Sequence, residues 1–179
     1  MTDNEIRDAI LEAAYNKAKE DGMIEAGGRF TVHEISKLNR LEGIEKNRID
    51  FNIEYLEKDG LIKWVIIGKV AITIMGVIYY ETKHPEVLSV IPKEDTMADN
   101  EIRNVILEVA YKEKKNGKSE EDGRFNVYEI NKLEGLKKNR INFNTDYLDR
   151  INWVKWTTGR KMIITIRGIK EYERIHKHE

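Results

Sequence analysis

Residues 47–76 read NRIDFNIEYLEKDGLIKWVIIGKVAITIMG, and residues 139–168 read NRINFNTDYLDRINWVKWTTGRKMIITIRG. Over the wider ranges 42–84 and 134–176, a shift of 92 positions gives identical residues at 20 of 43 places. An internal repeat of this kind indicates that one structural unit is built twice along the chain. The sequence therefore predicts two domains of the same architecture.

Within each copy the spacing of apolar residues changes from a helical period to a strand period. Two β-branched runs around a glycine turn then predict a β-hairpin. The first copy predicts a helix over Ile44–Lys58 and strands over Leu61–Ile67 and Lys69–Ile74. The second copy predicts a helix over Leu136–Arg150 and strands over Trp153–Thr157 and Lys161–Ile166. The fold class is α+β.

The segments that precede and follow this core are also repeated. A first helix is expected from Asp3 to about Lys19, and a similar helix is expected from Asp99. Capping boxes then open a short second helix, which is predicted over Val32–Leu38 after Thr31 and over Val127–Leu133 after Asn126. Phe30 and Phe125 are expected to enter the core as short strands that pair with the hairpin, and Gly76 and Gly168 are expected to precede a final helix.

The pattern YLEKDGLIK…G…IT..G resembles the recognition helix, first wing strand, wing tip and second wing strand of winged helix-turn-helix DNA-binding proteins of the prokaryotic type. The resemblance covers residues 3–84 and 99–178. It implies a tandem repeat of winged-helix domains, 1–84 and 99–179, joined by a linker over 85–98. It also implies that a third helix reads a major groove. Winged helices serve as protein–protein modules as well.

Composition narrows the class of protein. The 179 residues include no cysteine, which excludes disulfides, thiol catalysis and cysteine-ligated zinc. The charged start of the sequence lacks the apolar core of a signal peptide, and no apolar run approaches the roughly 18 residues of a membrane span. We therefore expect a soluble, cytoplasmic protein that does not contact a membrane.

The charge is divided unequally between the two copies. Residues 1–84 carry 12 Lys and Arg against 15 Asp and Glu, a net charge of −3. Residues 98–179 carry 18 against 14, a net charge of +4. A surface that binds phosphate is therefore expected in the second copy.

The candidate DNA contacts of the second copy lie at the start of the third helix and at the wing tip. Asn, Arg and Lys near the first turns of a recognition helix are the usual readers of bases. Hydroxyl-bearing and basic wing residues suit contacts with phosphate. The predicted DNA-binding residues are Lys137, Lys138, Asn139, Arg140, Asn142, Thr157, Thr158, Arg160 and Lys161.

The corresponding surface of the first copy suits DNA less well. Asp50 stands in place of Asn142 and Glu45 in place of Lys137, so that phosphate would meet carboxylates. The apolar tip Ile66-Ile67 suits burial against protein instead. Secondary candidates for DNA contact in this copy are Lys46, Asn47, Arg48 and Lys69.

Other polar and aromatic residues have structural interpretations. Asn52 and Asn144 are expected to hydrogen-bond inside the fold, because buried amides need partners. The tryptophans at positions 64, 153 and 156 are expected to pack beside the core. The histidines at 33, 84, 176 and 178 have no zinc-binding spacing, and the sequence contains no nucleophile–base pair, phosphate loop or dinucleotide fingerprint. We therefore expect no metal, no cofactor and no enzymatic activity.

The sequence thus predicts a protein that binds double-stranded DNA through its second repeat and regulates transcription. The first repeat would bind DNA weakly, or would pack against protein to make a homodimer or an intrachain pseudo-dimer. The alternative is an adaptor in which both winged helices bind proteins and neither binds DNA.

Overall fold

A computed structural model describes residues 1–25, 29–66, 68–89, 97–117 and 123–176, with the backbone only at Asn39. The chain divides into two compact units, Met1–Val87 (unit 1) and Leu88–Glu179 (unit 2). Each unit combines helices with a small antiparallel sheet, so the fold class is α+β.

Unit 1 begins with a long helix whose first turn is closed by a capping box. The Thr2 side chain accepts from the Glu5 backbone N–H, and the Glu5 carboxylate accepts from the Thr2 backbone N–H. The elements in order are α1 (Asp3–Asp21), β1 (Phe30–Thr31), α2 (Val32–Ser36), a 3₁₀ turn (Asn39–Leu41), α3 (Lys46–Lys58), β2 (Ile62–Ile66), β3 (Lys69–Ile72) and α4 (Ile74–Lys83).

Unit 2 repeats this order with shorter strands. After a 3₁₀ turn at Pro85–Leu88, its elements are α5 (Asp99–Asn116), 3₁₀ turns at Val127–Glu129 and Asn131–Leu133, α6 (Lys138–Arg150), β4 (Val154–Trp156), β5 (Met162–Ile164) and α7 (Ile166–Ile175).

Both units pair the predicted phenylalanine segment with the second hairpin strand. In unit 1 the sheet order is β1-β3-β2, all antiparallel, with Phe30 opposite Val70. In unit 2, β4 pairs with β5, and Phe125 forms an isolated bridge to Met162. Phe30 and Phe125 are both buried, as the sequence predicts.

The core of each unit lies between the first helix, the third helix and the sheet. In unit 2 the cluster joins Ile102 and Ile106 of α5 to Ile141 and Leu148 of α6 and to Met162 of β5. These residues recur at helical spacing on their helices, which is why one face of each helix is buried.

Several local predictions differ from the structure. Helices α3 and α6 begin at Lys46 and Lys138, two residues later than predicted. The predicted second helix of the second copy is a pair of 3₁₀ turns. Thr31 completes a capping box with Glu34, whereas the Asn126 side chain accepts from the Tyr128 N–H instead of that of Glu129. This Asx-type bond competes with helix formation.

The repeated glycines Gly76 and Gly168 lie inside the first turn of α4 and α7 rather than before those helices. Thr73 and Thr165 cap the helices by accepting from the N–H groups of these glycines. A Cβ added at Gly168 would meet the carbonyl oxygen of Trp153 at 2.0 Å, and one at Gly76 would meet that of Leu61 at the same distance. Glycine is repeated because the helix crosses the start of the hairpin at backbone contact.

Several predicted features lie outside the described residues. They are Ile67 of the first hairpin tip, half of the predicted linker (residues 90–96), Gly28 and His178. Among the helices that the structure describes, none combines the length and apolarity that crossing a membrane requires.

Candidate functional site

A polar cluster that joins the first helix to the third helix is built twice. Asn52 and Asn144 are fully buried, as predicted. Asn52 Oδ1 accepts from Arg7 Nε at 2.9 Å, and Asn144 Oδ1 accepts from Arg103 Nε at 2.8 Å. Each amide also donates to the carbonyl oxygen four residues earlier.

The cluster in unit 2 includes Arg140, which the sequence assigned to DNA contact. Arg140 Nη2 lies 2.6 Å from Asp99 Oδ1, and Nη1 donates to the Met97 carbonyl at 2.8 Å. The Arg140 side chain is 7% exposed and that of Asp99 is fully buried. The structure therefore places Arg140 inside unit 2, bonded to α5, and removes it from the surface on which a duplex could lie.

The equivalent pair in unit 1 is exposed. Arg48 Nε donates to Asp3 Oδ1 at 2.8 Å, and both side chains are 42% exposed. Hydrogen bonds from Arg48 and then from Asn52 lower the pKa of the Asp3 carboxyl. Arg48, a secondary candidate for DNA contact, is thus engaged with α1.

The outer surface of α6 keeps most of its predicted residues. Lys137, Lys138 and Asn139 are exposed, and Asn142 is half-buried. The Tyr128 hydroxyl lies 2.5 Å from Asn142 Oδ1, and Lys138 Nζ lies 5.1 Å from the centre of the Tyr128 ring. Tyr128 therefore groups Lys138 and Asn142 on one surface. Sequence reasoning missed it, although an aromatic residue at the position of His33 in the first copy was a visible signal.

The predicted residues of the second hairpin tip form one short loop. The Thr157 N–H and hydroxyl both donate to the Lys161 carbonyl, at 2.8 and 3.0 Å. These bonds close the loop and present the side chains of Thr158, Arg160 and Lys161 to solvent.

Arg160 has an unusual backbone. Its φ is 60°, in the left-handed region, and it follows Gly159 with a φ of 76°. The equivalent residue of unit 1 is Gly68, with a φ of 74°. An arginine thus occupies a conformation that favours glycine, at a cost of about 1–2 kcal/mol. Such strain is concentrated at functional positions.

The same surface of unit 1 differs in charge. Lys46 is paired with Asp50 at 3.4 Å, and Asn47 is exposed. Hydrogen bonds from the Thr31 backbone and side chain lower the pKa of the Glu34 carboxyl, and the charge of Lys69 adds a smaller effect in the same direction. The formal charges at seven equivalent outward positions add up to −2 in unit 1 and to +2 in unit 2. The positions are 45, 46, 50, 54, 57, 68 and 69 in unit 1 and 137, 138, 142, 146, 149, 160 and 161 in unit 2.

The predicted packing of the tryptophans holds for one of three. Trp153 packs against the core of unit 2. Trp64 and Trp156, at equivalent positions of the two hairpins, are 41% and 39% exposed. These two side chains are therefore less covered than the predicted packing beside the core implies.

A cleft of about 460 Å³ lies on unit 2 between α5 and the 3₁₀ turns. Glu108 bridges Lys112 and Lys132 there, and hydrogen bonds from these two lysines hold the pKa of its carboxyl at about 2. Within the described ranges, no group of three or more His, Cys, Asp or Glu is arranged to hold a metal ion.

Comparisons with known proteins give no relative for this chain. No protein-family model matches it, no curated protein matches it, and no solved structure matches it.

Proposed function

We propose that the chain is a tandem winged-helix protein that binds double-stranded DNA through unit 2 and regulates transcription. The first turns of α6 enter the major groove, where Lys138, Asn139 and Asn142 face the bases. The loop 157–161 contacts the neighbouring backbone through Thr158, Arg160 and Lys161. Arg140 is not part of this interface, because it is buried against Asp99.

The observation that carries the proposal is the reversal of charge on one scaffold. The seven outward positions differ by four charges between the units, while the same hydrogen bond from arginine to a buried asparagine is made in both. A duplex carries one negative charge per about 1.7 Å of its axis, so a cationic surface of this extent favours its approach.

The backbone of Arg160 supports the same interpretation. Glycine at this position, as at Gly68, would relieve the left-handed strain. The presence of a strained arginine at an exposed loop, where it makes no contribution to the core, is accounted for by contact of its guanidinium with phosphate.

Fluorescence anisotropy with a labelled duplex of about 20 base pairs tests the proposal. Arg160→Glu combined with Lys161→Glu should weaken binding by at least about 100-fold, since two attractive contacts become repulsive. The matched control is Arg167→Glu with Lys170→Glu, which makes the same change of charge on α7, where both residues are exposed. The control should weaken binding by less than about tenfold. Equal losses in the two double variants would remove the loop from the interface.

The adaptor function is favoured by one observation on unit 1. Its hairpin exposes Trp64 and Ile66 beside carboxylates of α3, a surface that repels phosphate. Absence of any duplex binding by the unmodified chain at low salt would favour this alternative for both units.

A further inference from the structure

Unit 1 has a cleft at the surface that corresponds to the proposed DNA interface of unit 2. Its volume is about 390 Å³, and it lies between α3, the start of α2 and the hairpin. Its lining residues are Val32, Lys46, Asp50, Ile53, Glu54, Trp64 and Gly68.

One wall of this cleft is apolar. Trp64 lines the cleft and is 41% exposed, and Ile66, two residues farther along β2, is 51% exposed. Val32 and Ile53 add apolar atoms from α2 and α3. Unit 2 has Thr158 at the position of Ile66, so this wall is more apolar in unit 1. Exposed tryptophan beside aliphatic side chains is typical of the anchor sites of protein interfaces.

The opposite wall is acidic. Asp50 and Glu54 lie one turn apart on α3 and both line the cleft. Lys46 is also on this wall, but its charge is balanced by the ion pair with Asp50 at 3.4 Å. Glu54 forms no ion pair with another residue that the structure describes, and Glu57 extends the acidic surface by a further turn. The wall therefore carries a net negative charge, which repels nucleic acid.

We propose that this cleft binds a basic segment of a partner protein that carries a large apolar side chain. The apolar side chain packs against Trp64, and a lysine or arginine of the partner pairs with Glu54. An extended or helical segment fits an open cleft of this kind better than a small ligand, because small ligands are held in more enclosed sites. This inference goes beyond the proposed DNA binding and uses none of the unit 2 residues assigned to it.

The two units share one fold, and we assign them different binding partners. The third helix and the hairpin face outward in both, and only the side chains decide what they bind. Unit 1 would attach the protein to a partner, while the cationic surface of unit 2 would remain available to a duplex.

Selection from a phage-displayed library of random peptides about 12 residues long, with the full chain immobilised, tests the inference. Enriched peptides should carry a net positive charge and at least one aromatic or large aliphatic residue. A synthetic peptide from the enriched set should bind the Trp64→Ala variant at least about tenfold more weakly than the unmodified chain. The double variant Asp50→Lys, Glu54→Lys should show a loss of at least the same size.

Two control variants distinguish an effect at the cleft from an effect of net charge and from an effect of the proposed DNA surface. Glu20→Lys with Asp21→Lys makes the same change of charge at the end of α1, and Arg160→Glu with Lys161→Glu alters unit 2. Both should leave peptide affinity within about twofold of the unmodified chain. Ile66→Thr, which introduces the side chain present in unit 2, should lower the affinity for the peptide without disturbing the fold.

Three results would overturn the inference. One is that selection on the unmodified chain enriches no peptide beyond those enriched on the Asp50→Lys, Glu54→Lys variant. Another is enrichment of neutral or acidic peptides. The third is peptide affinity that does not change in Trp64→Ala and Ile66→Thr.

Discussion

Asp99 and Arg140 form a buried ion pair at 2.6 Å, whereas the equivalent pair, Asp3 and Arg48, lies at 2.8 Å with both side chains exposed. In both units the pair is joined by the same asparagine, Asn144 or Asn52. The duplicated fold thus keeps one set of polar contacts between the first and third helices, in two different environments.

Removal of the arginine should therefore affect the two units unequally. Arg140→Met should destabilise unit 2 by about 3–5 kcal/mol, because it leaves the buried carboxylate of Asp99 without its cation. Arg48→Met should destabilise unit 1 much less, because its pair with Asp3 is solvated. Amide hydrogen exchange at increasing urea concentration measures the free energy of unfolding of each unit separately. Equal losses would show that burial does not distinguish the pairs.

The glycine at the start of the last helix gives a second test of the fold. Gly168→Ala should destabilise unit 2 by about 3 kcal/mol or more, since its Cβ would overlap the Trp153 carbonyl oxygen. Gly159→Ala is the control, because a Cβ there meets no atom within 4 Å and only its positive φ is unfavourable. The control should cost about 1–2 kcal/mol in the same denaturation experiment. A mild effect at Gly168 would mean that α7 shifts readily away from the hairpin.

Replacement of Arg160 by glycine should separate stability from binding. Arg160→Gly should stabilise unit 2 by about 1 kcal/mol by relieving the left-handed conformation, and it should weaken duplex binding by about tenfold. Asn152, with a φ of 62°, is the control. Asn152→Gly should leave the affinity for DNA unchanged. Thermal denaturation and anisotropy measure the two effects, and an Arg160→Gly variant with full affinity would show that the strain has no role in binding.

The stability of unit 2 should depend on Glu108 in acid. Lys112 and Lys132 lower the pKa of this carboxyl from 4.5 to about 2 in the folded state. Its contribution to stability is therefore complete above pH 4.5 and is lost as the pH falls from about 4.5 to about 2. Glu108→Gln should make the denaturation midpoint of unit 2 less dependent on pH across this interval. An unchanged pH dependence would show that Lys112 and Lys132 do not stabilise the ionised form of Glu108 when the protein is in solution.

The repeat allowed much of the architecture to be predicted from sequence. The helix–hairpin–helix order, the burial of Asn52 and Asn144 and the pairing of Phe125 with the hairpin all follow from side-chain period and polarity. These features depend on contacts that are local or are repeated in both copies.

The errors have two different causes, a partner distant in sequence and a local competition between hydrogen bonds. Arg140 was assigned to the DNA surface because it is a basic residue near the start of a helix. It lies one turn before the buried Asn144, however, and therefore on the buried face of α6. Its partner, Asp99, is 41 residues away. The 3₁₀ turns after Asn126 depend on a choice between two backbone N–H groups, which helix propensity does not decide.

The most direct test of the central claim is a map of amide chemical-shift changes when the full chain is titrated with a duplex of about 20 base pairs. We expect the shift changes to concentrate at residues 137–142 and 157–161 of unit 2, while residues 45–54 and 64–69 of unit 1 stay unchanged. Shifts that fall mainly on unit 1, that cover both units equally, or that are absent at low salt would contradict it.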